Sequence, residues 1–292
     1  MHSIQGNTSV YGIIGNPVSH SISPLLHNRV FEKLKIPAVY VPLLVEQTGP
    51  FLKKALLNMG FKGLSVTIPH KGWAAKAADI KDDLVKLTGA SNTLIIKDGR
   101  DGRKLFGYNT DGPGAQRALL TTTDTLDSKT VVVVGYGGAA RAIVGQLLLH
   151  TEVKQVCIVG RNQTKIKSFI RHFTKSKPEF KNRILTVTEK QLLDLQADIL
   201  INTTPLGMQG FDLALPVPEE MLRPGLIAMD IVYTPEMTPF LQVAKNHKAR
   251  IIPGYWMLLY QAVLQYELFT GKEADQQIEN LMRMAIVTKL RS

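Results

Sequence analysis

Cysteine is nearly missing from this chain. Its one cysteine, Cys157 among 292 residues, has no partner for an internal disulfide, so the fold has to rest on a hydrophobic core. Cys157 lies in the apolar run Val156-Cys157-Ile158-Val159 and reads as core filling, not as a nucleophile. The seven histidines lack the ligand spacing of a metal motif such as H-E-x-x-H, and no metal is expected. No apolar run approaches the roughly 20 residues that cross a bilayer. Met1-His2-Ser3-Ile4-Gln5 lacks the apolar core of a signal peptide, and a cytoplasmic protein is expected. Internal repeats and low-complexity stretches are absent too. Acid is in short supply, with 24 Asp and Glu against 35 Lys and Arg and a net charge of +11. Nucleic acid is still not the expected partner, because the lysines are scattered and form no stripe with aromatics. The nearest cluster, Lys165 to Lys181, reads as a solvated helix face. Such a field suits an anionic cofactor and an anionic substrate.

What is present is an ordinary globular composition, 45% hydrophobic and 20% charged, in a chain long enough for one large or two medium domains. Its centre is Lys129 to Arg141. Val131 to Val134 has the unbroken β-branched character of a strand buried on both faces. Gly135, Gly137 and Ala140 follow at the spacing of the dinucleotide fingerprint: one residue to turn off the strand, one to let backbone approach a pyrophosphate, one to seat the next helix. That helix, Ala139 to Leu149, would aim its positive N-terminus at the phosphates. A tight strand-to-helix turn without a ligand is the plain alternative. The next strand, Val156 to Val159, bears on the choice. It ends in Gly160-Arg161-Asn162, with Lys165 a helical turn later, where an NAD site would offer a carboxylate to the ribose. A guanidinium there suits a 2′-phosphate and favours NADP, although a surface arginine could also be merely solvated.

Val10 to Gly15 reads as a first strand. Ser23-Pro24 reads as the N-cap and first residue of a helix to Leu34, with Ser19, His20 and Ser21 crowded into the loop before it. Hydroxyls at a helix start can hold a carboxylate. Val39 to Leu44 and Leu64 to Ile68 read as further strands, with a helix at Gly49 to Met59 between them. Pro69-His70-Lys71 ends the third strand, which places Lys71 where open α/β sheets bind their ligands; helices are expected at Gly72 to Ala78 and Asp79 to Leu87. A hairpin is expected from Leu94 through Asp98-Gly99 and Asp101-Gly102 to Tyr108. A helix should follow from Pro113, and the polar run Thr121 to Thr125 marks a boundary. Beyond the glycine loop, strands are expected at Ile184 to Val187, Asp198 to Asn202, Leu226 to Ile231 and Ile251-Ile252. Two helices close the chain, Met257 to Phe269 and Glu273 to Leu290. Gln261, flanked by apolar residues, is either satisfied in the core or turned to a ligand.

These pieces together resemble the shikimate dehydrogenase family, its quinate/shikimate-using members included. The motifs are Gly15-Asn16-Pro17, His20-Ser21-x-Ser23-Pro24-x-x-His27-Asn28, Val66-Thr67-Ile68-Pro69-His70-Lys71, Gly89-Ala90-Ser91-Asn92-Thr93 and Gly107-Tyr108-Asn109-Thr110-Asp111-Gly112. The Gly135 loop, Asn202-Thr203-Thr204-Pro205, Asp230-x-x-Tyr233-x-Pro235 and Gly254-x-x-Met257-Leu258-x-x-Gln261 complete the set, in family order over nearly the whole chain.

The resemblance implies a two-domain α/β enzyme: an N-terminal α/β substrate domain (1–112), a C-terminal Rossmann-type NADP-binding domain (113–253), a cleft between them, and C-terminal helices (254–292) returning to the first. It implies reversible reduction of 3-dehydroshikimate to shikimate with NADP, in aromatic amino acid biosynthesis. Lys71 would be the acid/base, paired with Asp111. Ser21 and Ser23 would hold the substrate carboxylate, and Thr67, Asn92, Asp111 and Gln261 the ring hydroxyls, with Tyr233 close by. Gly135, Tyr136, Gly137, Gly138, Ala139, Gly160, Arg161, Asn162, Gln163, Thr164, Lys165, Ile231 and Gly254 would line the cofactor, with Asp83 near its nicotinamide end or simply on a solvated helix face. Two departures stand out. The family commonly has Asn-Arg-Thr at Gly160-Arg161-Asn162, and smaller residues where this chain has Tyr255, Trp256 and Tyr260. The first bears on the grip on adenosine, the second on discrimination between shikimate and quinate. A related polyol-acid dehydrogenase is the nearest rival. A non-catalytic metabolite sensor is a further one, against which the retention of Lys71 and Asp111 speaks. No seam or heptad fixes an oligomeric state, so monomer and homodimer both stay open.

Overall fold

The computed structural model describes residues 4–291. Its strands and helices, in chain order, are β1 (Ser9–Gly15), α1 (Ser23–Lys33), β2 (Ala38–Leu44), α2 (Pro50–Asn58), β3 (Phe61–Val66), α3 (Lys71–Ala77), β4 (Ile80–Lys81), α4 (Asp83–Thr88), β5 (Thr93–Gly99) and β6 (Gly102–Tyr108). Then come α5 (Asp111–Leu119), β7 (Thr130–Val134), α6 (Gly138–His150), β8 (Gln155–Val159), α7 (Gln163–Ser176), β9 (Ile184–Thr186), α8 (Glu189–Asp194), β10 (Ile199–Asn202), β11 (Ile227–Asp230), α9 (Pro239–Asn246), β12 (Arg250–Ile252), α10 (Tyr255–Thr270) and α11 (Gln276–Arg291). The chain divides into two compact units. One holds the residues up to Thr110 and those from Leu259 onward; the other runs from Asp111 to Leu258. The Thr121 to Thr125 run lies inside the second unit.

The first unit is built on a mixed sheet of order β2-β1-β3-β5-β6-β4. Its left half is parallel, β1 pairing with β2 and with β3; β5 then runs antiparallel to β3 and forms a hairpin with β6. Ile14, Leu64, Leu94 and Leu105 from these strands are wholly buried and pack with Leu56 and Ala74 from the flanking helices. Three expectations need correction. Ser23 is not the cap of α1 but its first residue. The chain is already helical at Ile22 (φ −90°, ψ −3°), and the Ser23 amide donates to Ser21 Oγ at 3.3 Å. The segment from Asp79 is not helical throughout. Ile80 and Lys81 pair with Phe106 and Gly107 of β6, a tertiary pairing too short to leave a sequence pattern. Asp82 then caps α4, accepting from the Val85 amide at 2.6 Å. β3 begins and ends earlier than its apolar run predicts, so Thr67 and Ile68 lie beyond it, and α3 begins at Lys71 itself.

The second unit is an all-parallel sheet of order β12-β11-β10-β7-β8-β9, the doubly wound arrangement. Val131, Val132 and Val133 are fully buried on its central strand, and Cys157 sits beside them with its thiol pushed up to about 11 by burial. The ends of β10 and β11 are tied together by Asp230. Its carboxylate accepts from Asn202 Nδ2 at 3.0 Å, the Val232 amide at 3.0 Å and Thr238 Oγ1 at 2.7 Å. Asn202 in turn accepts from the amide and hydroxyl of Thr204. Among the described residues no helix is long and apolar enough to cross a membrane.

Burial raises the Asp230 carboxyl to about 6, with the donors from Val232, Thr238 and Asn202 opposing that rise. A carboxyl whose folded value lies above its unfolded one of ~3.9 binds its proton more tightly in the folded state. Its contribution is therefore full below that unfolded value and lost as pH rises through about 6. Unfolding measured from pH 4 to 7.5 should show the wild type losing roughly 2–3 kcal/mol relative to Asp230→Asn over that range. Parallel curves for the two proteins would contradict this.

Candidate functional site

In the first unit the candidate substrate residues gather at the ends of β1, β3 and β5. Asn92 opens β5 and is 2% exposed. Its Oδ1 accepts from the Thr110 amide at 2.8 Å and from Thr93 Oγ1 at 2.9 Å, and its Nδ2 donates to Thr110 Oγ1 at 2.9 Å. Its backbone bonds β3 at Val66 and β6 at Tyr108, so the loop Gly89 to Thr93 cannot drift. The Ser91 amide donates to the Lys71 carbonyl, which ties the first turn of α3 to that loop. Lys71 is half-buried at the head of α3. Thr67, between β3 and α3, hydrogen-bonds the end of β1 through its amide, which donates to the Ile14 carbonyl. Ser21 and Ser23 stand at the start of α1, half-buried and buried.

Gln261 and Gln265 lie one turn apart on α10 and are both buried. Gln265 was not singled out in the sequence. It accepts from Ser65 Oγ at 2.8 Å and donates to Thr93 Oγ1 at 3.1 Å, joining β3, β5 and α10 under the site. The signal was there: a second amide four residues after Gln261 in an apolar helix shares its face. Asp83, by contrast, is 74% exposed and pairs with Lys86 at 2.8 Å on the surface of α4.

In the second unit, Asp111 opens α5 and is 8% exposed, an acid in the first turn where the helix dipole favours it. The fingerprint has the expected local form. Gly135 has φ +112°, and a Cβ there would meet Thr203 Oγ1 at 2.4 Å, so only glycine makes this turn. A Cβ on Gly137 or Gly138 would meet nothing within 4 Å, so the protein's own packing does not ask for glycine there, and the head of α6 is left open to an anion. Gly137 caps α6, with Ala139 in its first turn.

Arg161, Asn162, Gln163, Thr164 and Lys165 are exposed around the end of β8. Two of them already serve the fold: Asn162 caps α7, accepting from the Lys165 amide at 2.9 Å, and Gln163 accepts from Thr186 Oγ1 at 3.2 Å. Arg161 and Lys165 put two cations at this strand end. Ile231 and Gly254, far apart in sequence, come together: a Cβ on Gly254 would lie 2.7 Å from the Ile231 carbonyl carbon. Tyr233 is half-buried nearby in sequence, its phenol raised by burial. No group of three or more His, Cys, Asp or Glu side chains among the described residues could hold a metal.

Gly160 has a structural reason. A Cβ there would lie 2.8 Å from Tyr136 Cε1 and 3.1 Å from Cδ1, so the Tyr136 ring occupies the space a side chain at 160 would need. The two positions are sterically coupled.

A doubly wound sheet with this glycine turn, joined in one chain to a second α/β unit lined with hydroxyls, amides and a lysine, defines a two-unit protein of the dinucleotide-binding class. Residues 13–94 match the shikimate dehydrogenase substrate binding domain, residues 117–206 the shikimate/quinate 5-dehydrogenase family and residues 254–286 the shikimate 5′-dehydrogenase C-terminal domain. The shikimate dehydrogenase (NADP(+)) of Geobacillus kaustophilus is 39% identical over 97% of this chain and 99% of its own. A crystal structure of a shikimate dehydrogenase in complex with NADP+ superposes with a TM-score of 0.88 at 34% identity, covering 99% of this chain and 98% of that one. The Thermus thermophilus enzyme, solved with NADP(H) and shikimate, gives a TM-score of 0.80 at 28% identity over 95% of this chain and 100% of that one. The chain belongs to the shikimate dehydrogenase family.

Gly160→Asn should push the Tyr136 ring toward the glycine loop and weaken NADP binding by about tenfold, in line with the cost of overpacking. Adding Tyr136→Ala should recover most of that loss. Calorimetric titration of the three proteins checks it; equal affinity in the single variant would show that the ring steps aside freely.

Proposed function

We infer that this chain is an NADP-dependent oxidoreductase that interconverts 3-dehydroshikimate and shikimate, a step toward chorismate and the aromatic amino acids. The observation that carries the reading is the full-length match, at 39% identity, to a relative bearing that name. The residues agree with it. NADPH, when bound, would supply the hydride that reduces the ketone. Gly135, Tyr136, Gly137, Gly138 and Ala139 would receive its pyrophosphate at the head of α6, and Arg161 and Lys165 would meet the 2′-phosphate. Ile231 and Gly254 would support the nicotinamide side.

As hydride reaches the ketone carbon, the oxygen becomes an alkoxide and needs a proton. Lys71 donates it, and Asp111 stabilises the ammonium and passes on its replacement. Ser21 and Ser23 hold the substrate carboxylate through hydroxyl donors. Asn92, Thr67 and Gln261 take the ring hydroxyls, and Tyr233 borders them. Because Asn92 Oδ1 already accepts twice, its share in substrate binding falls to Nδ2, which also donates to Thr110 Oγ1. The reading carries a cytoplasmic location with it, where a small anionic substrate and a soluble cofactor are both at hand.

Shikimate with NADP should give the highest kcat/KM in a panel of shikimate and quinate, each with NADP and NAD. A higher value with quinate would reassign the substrate, and Tyr255, Trp256 and Tyr260 would be the residues to examine. Lys71→Ala should lower kcat by on the order of 10²-fold, with NADP affinity little changed. Near-normal kcat in that variant would remove the lysine from proton transfer.

A further inference from the structure

The segment that leads into Lys71 buries an unexpected residue. Ile68 is 72% exposed and Pro69 is exposed, while His70, which follows them and precedes the half-buried Lys71, is 5% exposed. Apolar burial alone would choose the reverse, isoleucine inside and histidine outside. The imidazole has a use for its place: its Nε2 lies 2.6 Å from the Val45 carbonyl oxygen. A carbonyl only accepts, so this nitrogen carries a proton and donates it.

Val45 directly follows β2, and β1 lies between β2 and β3 in the sheet. The chain leaving β3 therefore crosses the end of β1 and is moored on the far side by the His70 ring. The crossing is anchored on the way. The Thr67 amide donates to the Ile14 carbonyl at 2.9 Å, and the Asn16 amide donates to the Ile68 carbonyl at 3.0 Å. A Cβ on Gly15 would run into the Thr67 methyl, so the segment passes directly over β1. Val45 is held in turn, its amide donating to the Gly15 carbonyl at 3.2 Å. Beyond the crossing, the His70 amide donates to the Thr67 carbonyl and the His70 carbonyl accepts from the Ala74 amide, both at 2.9 Å, which opens α3.

Of these bonds only the one from the imidazole is made by a side chain; the others join backbone to backbone and survive a substitution at 70. The helix does not itself favour a cation at its head, because the dipole opposes one in the first turn. We propose that His70 is a positioning residue for Lys71: its bond to the Val45 carbonyl seats the head of α3 on the end of β2, and with it the point from which the ammonium reaches the substrate oxygen. The proposal rests on the reading that Lys71 is the acid/base. Ser21 and Ser23, Asn92 and Gln261 stand on other elements, and Thr67 has its own tie to Ile14. Loss of the His70 bond therefore falls on proton transfer and spares substrate binding.

His70→Phe and His70→Met fill the space of the ring without a donor, and His70→Gln keeps a side-chain N–H at similar reach. In the full-length protein the two apolar variants should lower kcat about 10-fold to 100-fold, the cost of misplacing a catalytic group by about 1 Å, with KM for shikimate and for NADP within about 2-fold of wild type. His70→Gln should return kcat to within about 3-fold of wild type. Normal kcat in the apolar variants, a rise in KM for shikimate as large as the fall in kcat, or a glutamine variant no better than phenylalanine would each overturn the proposal. Failure of both apolar variants to fold would assign the bond to the fold and not to Lys71, and would overturn it too. Lys71→Ala is the control that separates the two readings. If it loses kcat while the apolar variants at 70 do not, the positioning role alone is lost; if it keeps near-normal kcat, the acid/base reading fails and takes the proposal with it.

Discussion

The buried carboxamide of Asn92 is the constraint on which the first unit depends. Its side chain engages Thr110 twice and Thr93 once, and its backbone bridges β3 and β6. Each bond is worth only about 0.5–1.5 kcal/mol net, but leaving any of these buried groups unpaired costs about 1–3. The arrangement is therefore selected as a whole, because no single bond can be dropped cheaply. Through it the end of β3, the start of β5 and the end of β6 hold a common geometry. Gln265 extends the same network to α10, so a helix nearly at the end of the chain is locked to strands from its first third.

The second unit works by the opposite means. Its glycine turn is rigid because Gly135 has no room for a side chain, and its sheet is rigid because the valines of β7 are buried on both faces. The groups proposed for the dinucleotide are exposed: Gly137 and Gly138 at the head of α6, and the cations Arg161 and Lys165. Exposed cations lose much of their pull to solvent and salt. In the first unit the candidate substrate groups other than Lys71 are neutral hydroxyls and amides. Discrimination there comes from leaving a buried partner unmatched, which is costly for the wrong ligand.

What could be read from the sequence followed from how local each signal was. The doubly wound sheet was legible because a parallel strand buried on both faces leaves an unbroken apolar run, as Val131 to Val134 does. β4 was not, since two residues paired to β6 carry no period. The entry to α1 was misplaced because Ser-Pro is a good cap signature in isolation. In the fold, Ile22 is already helical, and Ser21 takes the Ser23 amide. Asn162 was legible as part of the nucleotide loop but not as the cap of α7. Gly160 looked like a missing contact until the Tyr136 ring was seen to fill its place; coupling between residues 24 apart needs the geometry of two adjacent strand ends.

The same distinction explains why the His27-Asn28 pair had a pattern but no role in the sequence. A motif shows that residues act together, not upon what. Asn28 spends its whole carboxamide on the backbone of Tyr40, and His27 spends its ring on Tyr40's face, yet its nitrogens stay unsatisfied. An apolar ring would fill that space without such a cost, so stability alone does not account for the choice. A flat neutral ring of histidine's size stacks closely on the Tyr40 phenol ring. The first unit accepts a less stable core beneath α1, and the residues that bear that cost are the ones packed around Tyr40.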